Sequence, residues 1–384
     1  MTGSTNWSVE DRAAADGVAA AFDPARLVQG RRLKGLTKTA VASEINVSTA
    51  AISHWEAGTH PPRADHVLAL SSELDVPIRF FAAGRPFARL GDSDAHFRSL
   101  RRTPARERAK AIAFTEQTWE LTYALEKRVR LPNVNIPGFG SVPELPPEIL
   151  SHPLKAARYV RELWGLGEGK ISRLVKTLER NGVVVTLVSF AGNATPTVDA
   201  FSTSHLPRPV VVLTPERARD VYRHRFTAAH ELGHLVMHGE TDPGDPQQER
   251  DADMFAAEFL TPQSSITPLL PKRLNLNQLD RLSQEWGVGI ESLIRRCHEV
   301  GTISEAAYRR SFQRLNQLRK LGLFEFESVE NYPGELPSLL RQAYEVANEN
   351  GMSMSELASE LALKPKRIRE LLGAVDSRPE LRIV

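Results

Sequence analysis

The stretch Arg225–Gly239, RFTAAHELGHLVMHG, contains two histidines four positions apart, with a glutamate directly after the first. Residues four apart lie on the same face of a helix, so His230 and His234 can both reach one ion. Histidine nitrogens are common zinc ligands, and a glutamate beside them can hold the metal-bound water as general base. The stretch therefore predicts a helix that carries a metal centre, with Glu231 as the catalytic residue.

A third ligand has to come from elsewhere in the chain. His238 continues the same helical face, but it lies eight residues from His230, about 12 Å along a helix axis. Zinc–nitrogen distances are about 2.1 Å, so these two rings cannot bind one ion. An extended motif with glycine at position 237 and histidine at 240 is excluded, because the sequence has Met237 and Glu240 there. A carboxylate on the following helix, Glu249, is the remaining candidate.

That second helix is predicted over Gln247–Leu260 and is ended by Thr261 and Pro262. Glu249 lies one turn from Asp253, whose carboxylate can accept a hydrogen bond from a ligand histidine and fix its tautomer. Asp251 and Glu258 are expected to face solvent.

A second informative stretch is Leu36–Gly58, LTKTAVASEINVSTAAISHWEAG. Thr37 and Ser48 are suited to cap two short helices, and Asn46 allows the tight turn between them. Apolar spacing alone fits any small helical hairpin, but the caps, the turn and an inward Trp55 are more particular to a helix-turn-helix. In that motif the second helix enters the DNA major groove.

The predicted DNA contacts follow from this placement. The outward side of the second helix offers hydroxyl, methyl and imidazole groups to base edges, without an arginine or glutamine for bidentate recognition. Arg31 and Lys38 are candidate phosphate contacts, although basic residues also occur on ordinary solvated faces. The residues assigned to the base-reading helix are Ser48, Thr49, Ala50, Ser53 and His54.

Glycine and proline divide the rest of the chain. Residues 1–24 are polar and alanine-rich, which predicts a flexible tail. Residues 131–147 contain five prolines and two glycines, which predicts a linker or an extended connector. Short β-rich runs occur at 183–190, 198–201 and 210–213. Together these patterns predict an α+β centre between helical flanks.

Two stretches together resemble the ImmA/IrrE family of metallopeptidases. They are the histidine-containing stretch Arg225–Gly239 and the acidic stretch Glu249–Pro262. The resemblance covers about residues 150–300. Asp253 stands where the family usually has asparagine, and Leu260-Thr261-Pro262 replaces its Leu-Met-Pro. These departures leave the ligand positions intact.

The resemblance implies one zinc ion held by His230, His234 and Glu249, in an arrangement similar to that of gluzincin endopeptidases. It also implies a zincin-like fold and a repressor-type protein as the substrate, cleaved by water that the metal activates and Glu231 deprotonates.

Residues 26–81 resemble the Xre/Cro-type repressors. This resemblance implies a five-helix DNA-binding domain, a duplex DNA operator as partner and a homodimer on that operator. The predicted fold class is therefore mainly α, with a central α+β zincin-like domain. The predicted divisions are a tail at 1–24, the Xre-type domain at 25–88, a helical connector and proline-rich linker at 89–147, the peptidase domain at 148–300, and a helical C-terminal domain with a helix-turn-helix-like segment at 301–384.

The composition sets limits on function. Of 384 residues, 41% are hydrophobic and 25% are charged, which is ordinary soluble usage. A net charge of +2 excludes a chain-wide polycation, so any DNA surface has to be local. The single cysteine, Cys297, excludes a disulfide framework and a cysteine-rich metal site. Without a long apolar run or an N-terminal signal pattern, we expect a cytoplasmic protein without a membrane segment.

Two functions remain open from the sequence. One is a DNA-binding regulator whose zinc peptidase domain cuts a repressor-type protein. The other is a repressor or antitoxin whose peptidase-like domain only senses a ligand, a metal or a partner. The presence of Glu231 favours the peptidase, because a sensor does not need a general base. The segment 131–147 is a candidate cleavage site within the chain, but its prolines favour a separate protein as substrate.

Overall fold

The computed structural model describes residues 7–91, 96–97, 104–187, 200–214, 220–239, 245–324, 328–329, 332 and 334–373. Within these residues the chain is mainly α-helical and contains one small sheet, as predicted. It divides into two compact units. The first unit comprises residues 1–92, 103–130 and 340–384, and the second comprises residues 93–102 and 131–339. No helix in the described part of the chain is both long and apolar enough to cross a membrane.

The helices are numbered in chain order. They are α1 Val9–Ala20, α2 Pro24–Lys34, α3 Lys38–Glu44, α4 Thr49–Ala57, α5 Ala64–Leu74, α6 Ala105–Glu126, α7 Pro147–Leu150, α8 Pro153–Leu163, α9 Leu174–Arg180, α10 Val221–Met237, α11 Pro246–Leu260, α12 Gln263–Ile266, α13 Leu276–Trp286, α14 Ile290–Glu299, α15 Glu305–Lys320, α16 Leu339–Glu349, α17 Met354–Leu361 and α18 Pro365–Leu371. The strands are β1 His96–Phe97, β2 Val184–Leu187, β3 Ala200–Thr203 and β4 Val210–Leu213.

Helices α3 and α4 form the predicted helix-turn-helix. The side chain of Thr37 accepts a hydrogen bond from the backbone nitrogen of Ala40 at 3.1 Å and caps α3. Ser48 caps α4 in the same way, accepting from Ala51 at 3.1 Å. Asn46 adopts the left-handed conformation, with φ of 56°, that the tight turn requires.

The predicted flexible tail is wrong for residues 9–20, which form α1. Ser8 and Asp11 make a capping box at its start, and Ala15 and Val18 are buried. The helix packs against α5 and the 3₁₀ turn Ile78–Phe81. Alanine-rich sequence has high helix propensity, so a capped stretch of this kind folds when it has a surface to cover. Residues 1–6 lie outside the described part.

Helix α6 supplies a buried polar cluster to the first unit. Glu120 Oε1 lies 2.6 Å from Nη1 of Arg26 on α2, and both side chains are almost fully buried. Gln29 Nε2 donates to Glu116 at 3.2 Å and to Glu120 at 3.0 Å. The expected connector at 89–147 is therefore partly an integral helix of the first unit.

The predicted C-terminal domain at 301–384 is divided between the two units. Helix α15 belongs to the second unit, whereas α17 and α18 belong to the first and pack against α6. Arg367 of α18 donates from Nε to Gln117 Oε1 at 2.7 Å and lies over the ring of Phe114. The turn between α17 and α18 contains Ala362, which has a φ of 47°. These two helices and their turn form the predicted helix-turn-helix-like segment. Residues 374–384 lie outside the described part.

The sheet of the second unit has the strand order β1-β3-β4-β2. β3 runs antiparallel to both β1 and β4, and β2 runs parallel to β4. The predicted β-rich runs at 183–190 and 198–201 extend into residues 188–199, which lie outside the described part, and the run at 210–213 is confirmed as β4.

The proline-rich segment 131–147 is part of the second unit's core and is not a free linker. Ile136 and Leu145 belong to its buried apolar cluster. Trp164 Nε1 donates to the carbonyl oxygen of Asn135 at 2.6 Å. Gly182 has a φ of +82°, and a Cβ there would lie 2.5 Å from the Cα of Val134. The segment turns at residues 137–142 and is therefore not the extended connector that was predicted. Buried apolar contacts anchor it, and its proline content did not indicate them.

Candidate metal centre

Helix α10 carries the two histidines and the glutamate as predicted. Asp220 caps its first turn by accepting from the backbone nitrogens of Tyr222 and Arg223. The side chains of His230, Glu231 and His234 are all buried. The apolar residues of the helix pack into the large core cluster, which holds these polar groups away from bulk water.

Gly233, in the middle of the motif, lets α11 approach α10 closely. A Cβ at this position would lie 3.2 Å from the Cα of Ala252 and 3.2 Å from the ring of Phe255. Such contacts are tighter than a backbone neighbour normally accepts, so a side chain here would push the helices apart. The close approach brings Glu249, in the first turn of α11, to the two histidines.

Three ligand atoms converge at this point. Nε2 of His230 and Nε2 of His234 are 3.1 Å apart. Oxygens of Glu249 lie 3.6 Å from Nε2 of His230 and 3.3 Å from Nε2 of His234. Tetrahedral ligands at about 2.1 Å from an ion are separated by about 3.4 Å. The separation of the two nitrogens, and the distance from each nitrogen to one of the two carboxylate oxygens, are close to this value. One atom from each residue lies within 4.8 Å of the others, so the three side chains could hold a tetrahedral divalent ion with one position left for another ligand.

The protonation states also suit metal binding. Burial lowers the pKa of His234, which favours the neutral ring that a metal requires. Burial raises the pKa of Glu249, but hydrogen bonding with His230 and His234 outweighs it and lowers that pKa to about 2. The donor set at neutral pH therefore includes an ionised carboxylate.

The Nδ1 atom of each of these two histidines contacts another side chain. Oδ1 of Asp253 lies 2.8 Å from Nδ1 of His230, a contact that the spacing of Glu249 and Asp253 predicts. A proton on Nδ1 donated to this carboxylate leaves Nε2 as the free lone pair. His238 was expected to be a cap or a surface residue. It occupies the C-cap position of α10, but it is buried, and its Nδ1 lies 3.1 Å from Nδ1 of His234.

Glu231 is held by a residue that sequence reasoning did not identify. Ser202 on β3 donates from its hydroxyl to Oε2 of Glu231 at 2.8 Å, and both side chains are fully buried. The two residues are 29 positions apart, so only the packing of β3 on α10 brings them together. Nothing in the local sequence of Ser202 could have shown this contact.

A buried ion pair anchors the start of α10. Arg225 Nη1 donates to Oε1 of Glu335. The backbone nitrogen of Leu174 donates to the same oxygen at 2.7 Å, and that of Val175 donates to Oε2 at 3.1 Å. Nε of Arg225 donates to the carbonyl oxygen of Gly287 at 2.7 Å. These contacts fix the orientation of the helix that carries the histidines, and they were not predicted.

The two other acidic residues of α11 differ from expectation in part. Glu258 is fully buried, lies 2.8 Å from Nε of Arg158 and caps α12 through Gln263. The expectation that it faces solvent is wrong, because these partners compensate the buried charge. Asp251 is partly exposed and accepts from Gln247 at 2.8 Å.

In the helix-turn-helix, the predicted base-reading residues occupy the outer side of α4. Thr49, Ala50 and His54 are exposed and Ser53 is half-buried. Ser48 is exposed too, but its hydroxyl oxygen is used as the cap of α4.

The two predicted phosphate contacts have different surroundings. Arg31 pairs through Nε with Glu56 at 2.5 Å and through Nη2 at 3.1 Å, with its side chain only 14% exposed. Its guanidinium therefore links α2 to α4, and its contact with phosphate stays a prediction. Lys38 also lies near Glu56, at 3.3 Å, but its side chain is 41% exposed.

Comparison with sequence models of protein families finds two matches. The model of the M78 peptidases, described as an IrrE N-terminal-like domain, matches residues 178–298, which include the whole candidate centre. A helix-turn-helix model matches residues 27–81. The chain carries an Xre-type helix-turn-helix domain and an IrrE/ImmA-like peptidase domain. No curated protein matches the chain.

These two matches suggest the broad function. The helix-turn-helix domain is typical of DNA-binding transcription regulators, and its match covers α3, α4 and α5. The IrrE/ImmA-like domain belongs to a metallopeptidase-like class, and His230, His234 and Glu249 form a possible metal site within it.

Proposed function

We propose that the chain is a transcription regulator whose peptidase domain hydrolyses a peptide bond with one zinc ion held by His230, His234 and Glu249. The observation that carries this proposal is the clustering of one possible ligand atom from each of these residues within 4.8 Å, beside the buried Glu231. A structural helix with two coincidental histidines would need neither the carboxylate of Glu249 nor the partner Asp253.

The chemistry divides between the ion and the chain. A bound divalent ion supplies Lewis acidity, which polarises the scissile carbonyl and acidifies water. Glu231 takes one proton from the water that adds to the carbonyl carbon and passes it to the amide nitrogen. The C–N bond breaks, giving a carboxylic acid and an amine. The carboxylic acid then passes the second proton of the water to the amine, so the products leave as a carboxylate and an ammonium group. Ser202 positions Glu231 for both transfers through its hydrogen bond to Oε2.

We propose a repressor-type protein as the substrate. The DNA-binding domain on the same chain would raise the concentration of the peptidase near proteins bound at the same operator. The exposed outer side of α4 is suited to enter the major groove, as a homodimer with half-sites about one helical turn apart. In this proposal Thr49, Ala50, Ser53 and His54 meet base edges and Lys38 meets phosphate.

The test uses the full-length chain and its Glu231→Gln variant, each loaded with zinc. Both are incubated with repressors encoded beside the gene, with and without operator DNA, and fragments are identified by mass spectrometry. Cleavage by the wild type and none by Glu231→Gln supports the proposal. If neither form cuts any protein, while DNA binding responds equally in both to a metal or a ligand, the domain is a sensor and the proposed activity is wrong.

A further inference from the structure

A row of basic residues lies on the first unit outside the predicted base-reading helix. Arg106 and Lys110 are four positions apart on α6, so their side chains emerge from the same face of that helix. Phe114 follows four residues later on this face, and the guanidinium of Arg367 from α18 lies over its ring, 5.0 Å from the ring centre. Helix α18 therefore adds a third cation to the line that begins on α6.

The row begins beside the helix-turn-helix. Gly35, the C-cap of α2, has a φ of +63°, and a Cβ there would lie 2.8 Å from Nε of Arg106. Gly35 is three residues before Lys38, the first residue of α3. The first helix of a helix-turn-helix crosses the DNA backbone while the second reads the bases. Arg106 consequently lies next to the part of the motif that is expected to meet phosphate.

Two lysines bring α2 and α18 together at one carboxylate. Nζ of Lys34 lies 3.8 Å from Oδ2 of Asp75, and Nζ of Lys364 donates to Oδ1 of the same residue. The side chains of the two lysines are 41% and 48% exposed. A single carboxylate cannot neutralise two ammonium groups, so this junction carries excess positive charge.

In the described part of the chain, the side chains of Arg106 and Lys110 make no hydrogen bond or ion pair. Burial lowers the pKa of Lys110, and the guanidinium groups of Arg367 and Arg106 lower it further. The carboxylates of Glu107 and Glu370 oppose this shift without reversing it. Cations this close repel one another, and an anion between them would remove the repulsion. This part of the row is therefore suited to bind phosphate.

We propose that Arg106 and Lys110 bind the phosphate backbone of duplex DNA beside the base pairs that α4 contacts. They are the centre of a basic row that Lys34, Arg367 and Lys364 complete. The two side chains start about 6 Å apart along the axis of α6, so they can reach two different phosphates. Continuity with α3 favours duplex DNA over another polyanion, because the strand that meets α3 can continue along the row. The inference rests on the proposed DNA binding and adds a contact surface formed by helices outside the helix-turn-helix.

The test compares three double variants of the full-length chain. Arg106→Ala with Lys110→Ala removes the two contacts, and alanine suits the helix that carries them. Arg12→Ala with Arg79→Ala is the matched control, because it removes two exposed arginines from α1 and the 3₁₀ turn Ile78–Phe81. Arg106→Lys with Lys110→Arg keeps both charges and shows whether charge rather than side-chain shape is needed.

Affinity for a duplex operator, selected in vitro with the wild-type chain, is measured by fluorescence anisotropy at several concentrations of KCl. Each phosphate that a protein neutralises contributes about 0.9 to the magnitude of the slope of log K against log salt concentration. The alanine variant should therefore lose about 1.8 of this slope per bound chain, whereas the other two variants should match the wild type. Ethylation interference on the same duplex should identify two phosphates per chain that matter for the wild type and not for the alanine variant.

Loss of the slope and of both interference positions in the alanine variant alone supports the inference. Equal slopes in the alanine variant and the wild type would overturn it and leave DNA binding by α4 intact. Equal losses in the alanine and control variants would also overturn it, since net charge rather than contact would then be responsible. If the wild-type chain binds no duplex, the proposed DNA binding is wrong together with this inference.

Discussion

At the level of single residues, Glu249 is the proposed third ligand of the metal site. Its oxygens complete a triangle of ligand atoms with His230 and His234. We expect the variant Glu249→Ala to lose the stoichiometric zinc of the wild type, because two neutral nitrogens alone hold a divalent ion weakly. Elemental analysis after dialysis against a mild chelator measures this.

The control for this experiment lies on the same helix. Asp251→Ala removes a carboxylate two residues away, which contacts Gln247 rather than the histidines, so its zinc content should equal that of the wild type. Zinc retained in full by Glu249→Ala would place the third ligand elsewhere.

The residues that contact Nδ1 of the two histidines should change the zinc affinity without abolishing it. Asp253 lies 2.8 Å from His230, and His238 lies 3.1 Å from His234. Replacing Asp253 by alanine should weaken zinc binding by about 10- to 100-fold, as loss of a partner behind a ligand usually does. Competition with a chromogenic chelator gives the dissociation constant. An affinity equal to that of wild type would show that the Asp253 contact does not orient the ring.

Part of the site could be predicted from the sequence because it depends on local spacing. His230, Glu231 and His234 follow from helical periodicity, and Glu249 follows from its place in the next helix. Ser202 could not be predicted, since its contact with Glu231 depends on how a strand packs on a helix. The burial of His238 was missed for a similar reason, because the end of a helix can face either solvent or core.

At the level of secondary-structure elements, α4 is the candidate DNA-reading helix. The side chain of His54 is exposed on this helix. Its ring makes an edge contact with the ring of His60. Replacing His54 by glutamate should abolish specific operator binding, because it places a carboxylate against the negatively charged duplex. Footprinting with the full-length chain on a selected operator measures this.

The matched control adds the same charge to another helix. Ser72 is exposed on α5, and Ser72→Glu should leave the footprint unchanged. A normal footprint with His54→Glu would mean that an element other than α4 reads the bases.

The packing of α6 on α2 should make the stability of the first unit depend on pH. Burial raises the pKa of Glu116 from 4.5 to about 7, although hydrogen bonds from Leu90 and Gln29 oppose the shift. The folded state therefore binds this proton more tightly than the unfolded chain. Protonated Glu116 therefore contributes ~3 kcal/mol to the free energy of unfolding of the first unit. This contribution is fully present below about pH 4.5 and is lost as the pH rises through about 7.

The variant Glu116→Gln should remove this dependence. Hydrogen-exchange protection of the α6 amides, measured at about pH 5 and about pH 8, should fall with rising pH in the wild type and change less in the variant. Parallel changes in the two proteins would show that other groups set the pH dependence.

Elements were predictable where their signals are local. The caps Thr37 and Ser48 and the turn residue Asn46 are read directly from the sequence and are all confirmed. Helix α1 was missed, because polar composition suggested a tail although Ala15 and Val18 had a surface to cover. The segment 131–147 was misread for a related reason, since prolines exclude regular structure but do not exclude burial.

At the level of the whole molecule, the division into units could not be derived from the order of the chain. The first unit is assembled from three separate stretches, and the second includes the short segment 93–102. Linear boundaries such as 89–147 and 301–384 therefore cut across both units. Long-range contacts such as that of Arg26 with Glu120 determine the assembly, and they leave no periodic trace in the sequence.

This division predicts how zinc affects the stability of the full-length chain. The proposed ligands all lie in the second unit, whose buried apolar cluster runs from Ile136 to Leu315 without a residue of the first unit. A ligand that binds only the folded state stabilises it by about 2.7 kcal/mol at a free concentration 100 times its dissociation constant. Zinc should therefore raise the melting temperature of the second unit and leave that of the first unit unchanged.

Differential scanning calorimetry, with hydrogen exchange to assign each transition to its helices, measures both units in one sample. The Glu249→Ala variant is the control, because it keeps both cores and loses the stabilisation by zinc. A zinc-dependent shift of α2 and α6 equal to that of α10 and α11 would mean that the two units unfold cooperatively. In that case occupancy of the metal site would control the stability of the DNA-binding domain as well, and metal removal alone would weaken operator binding.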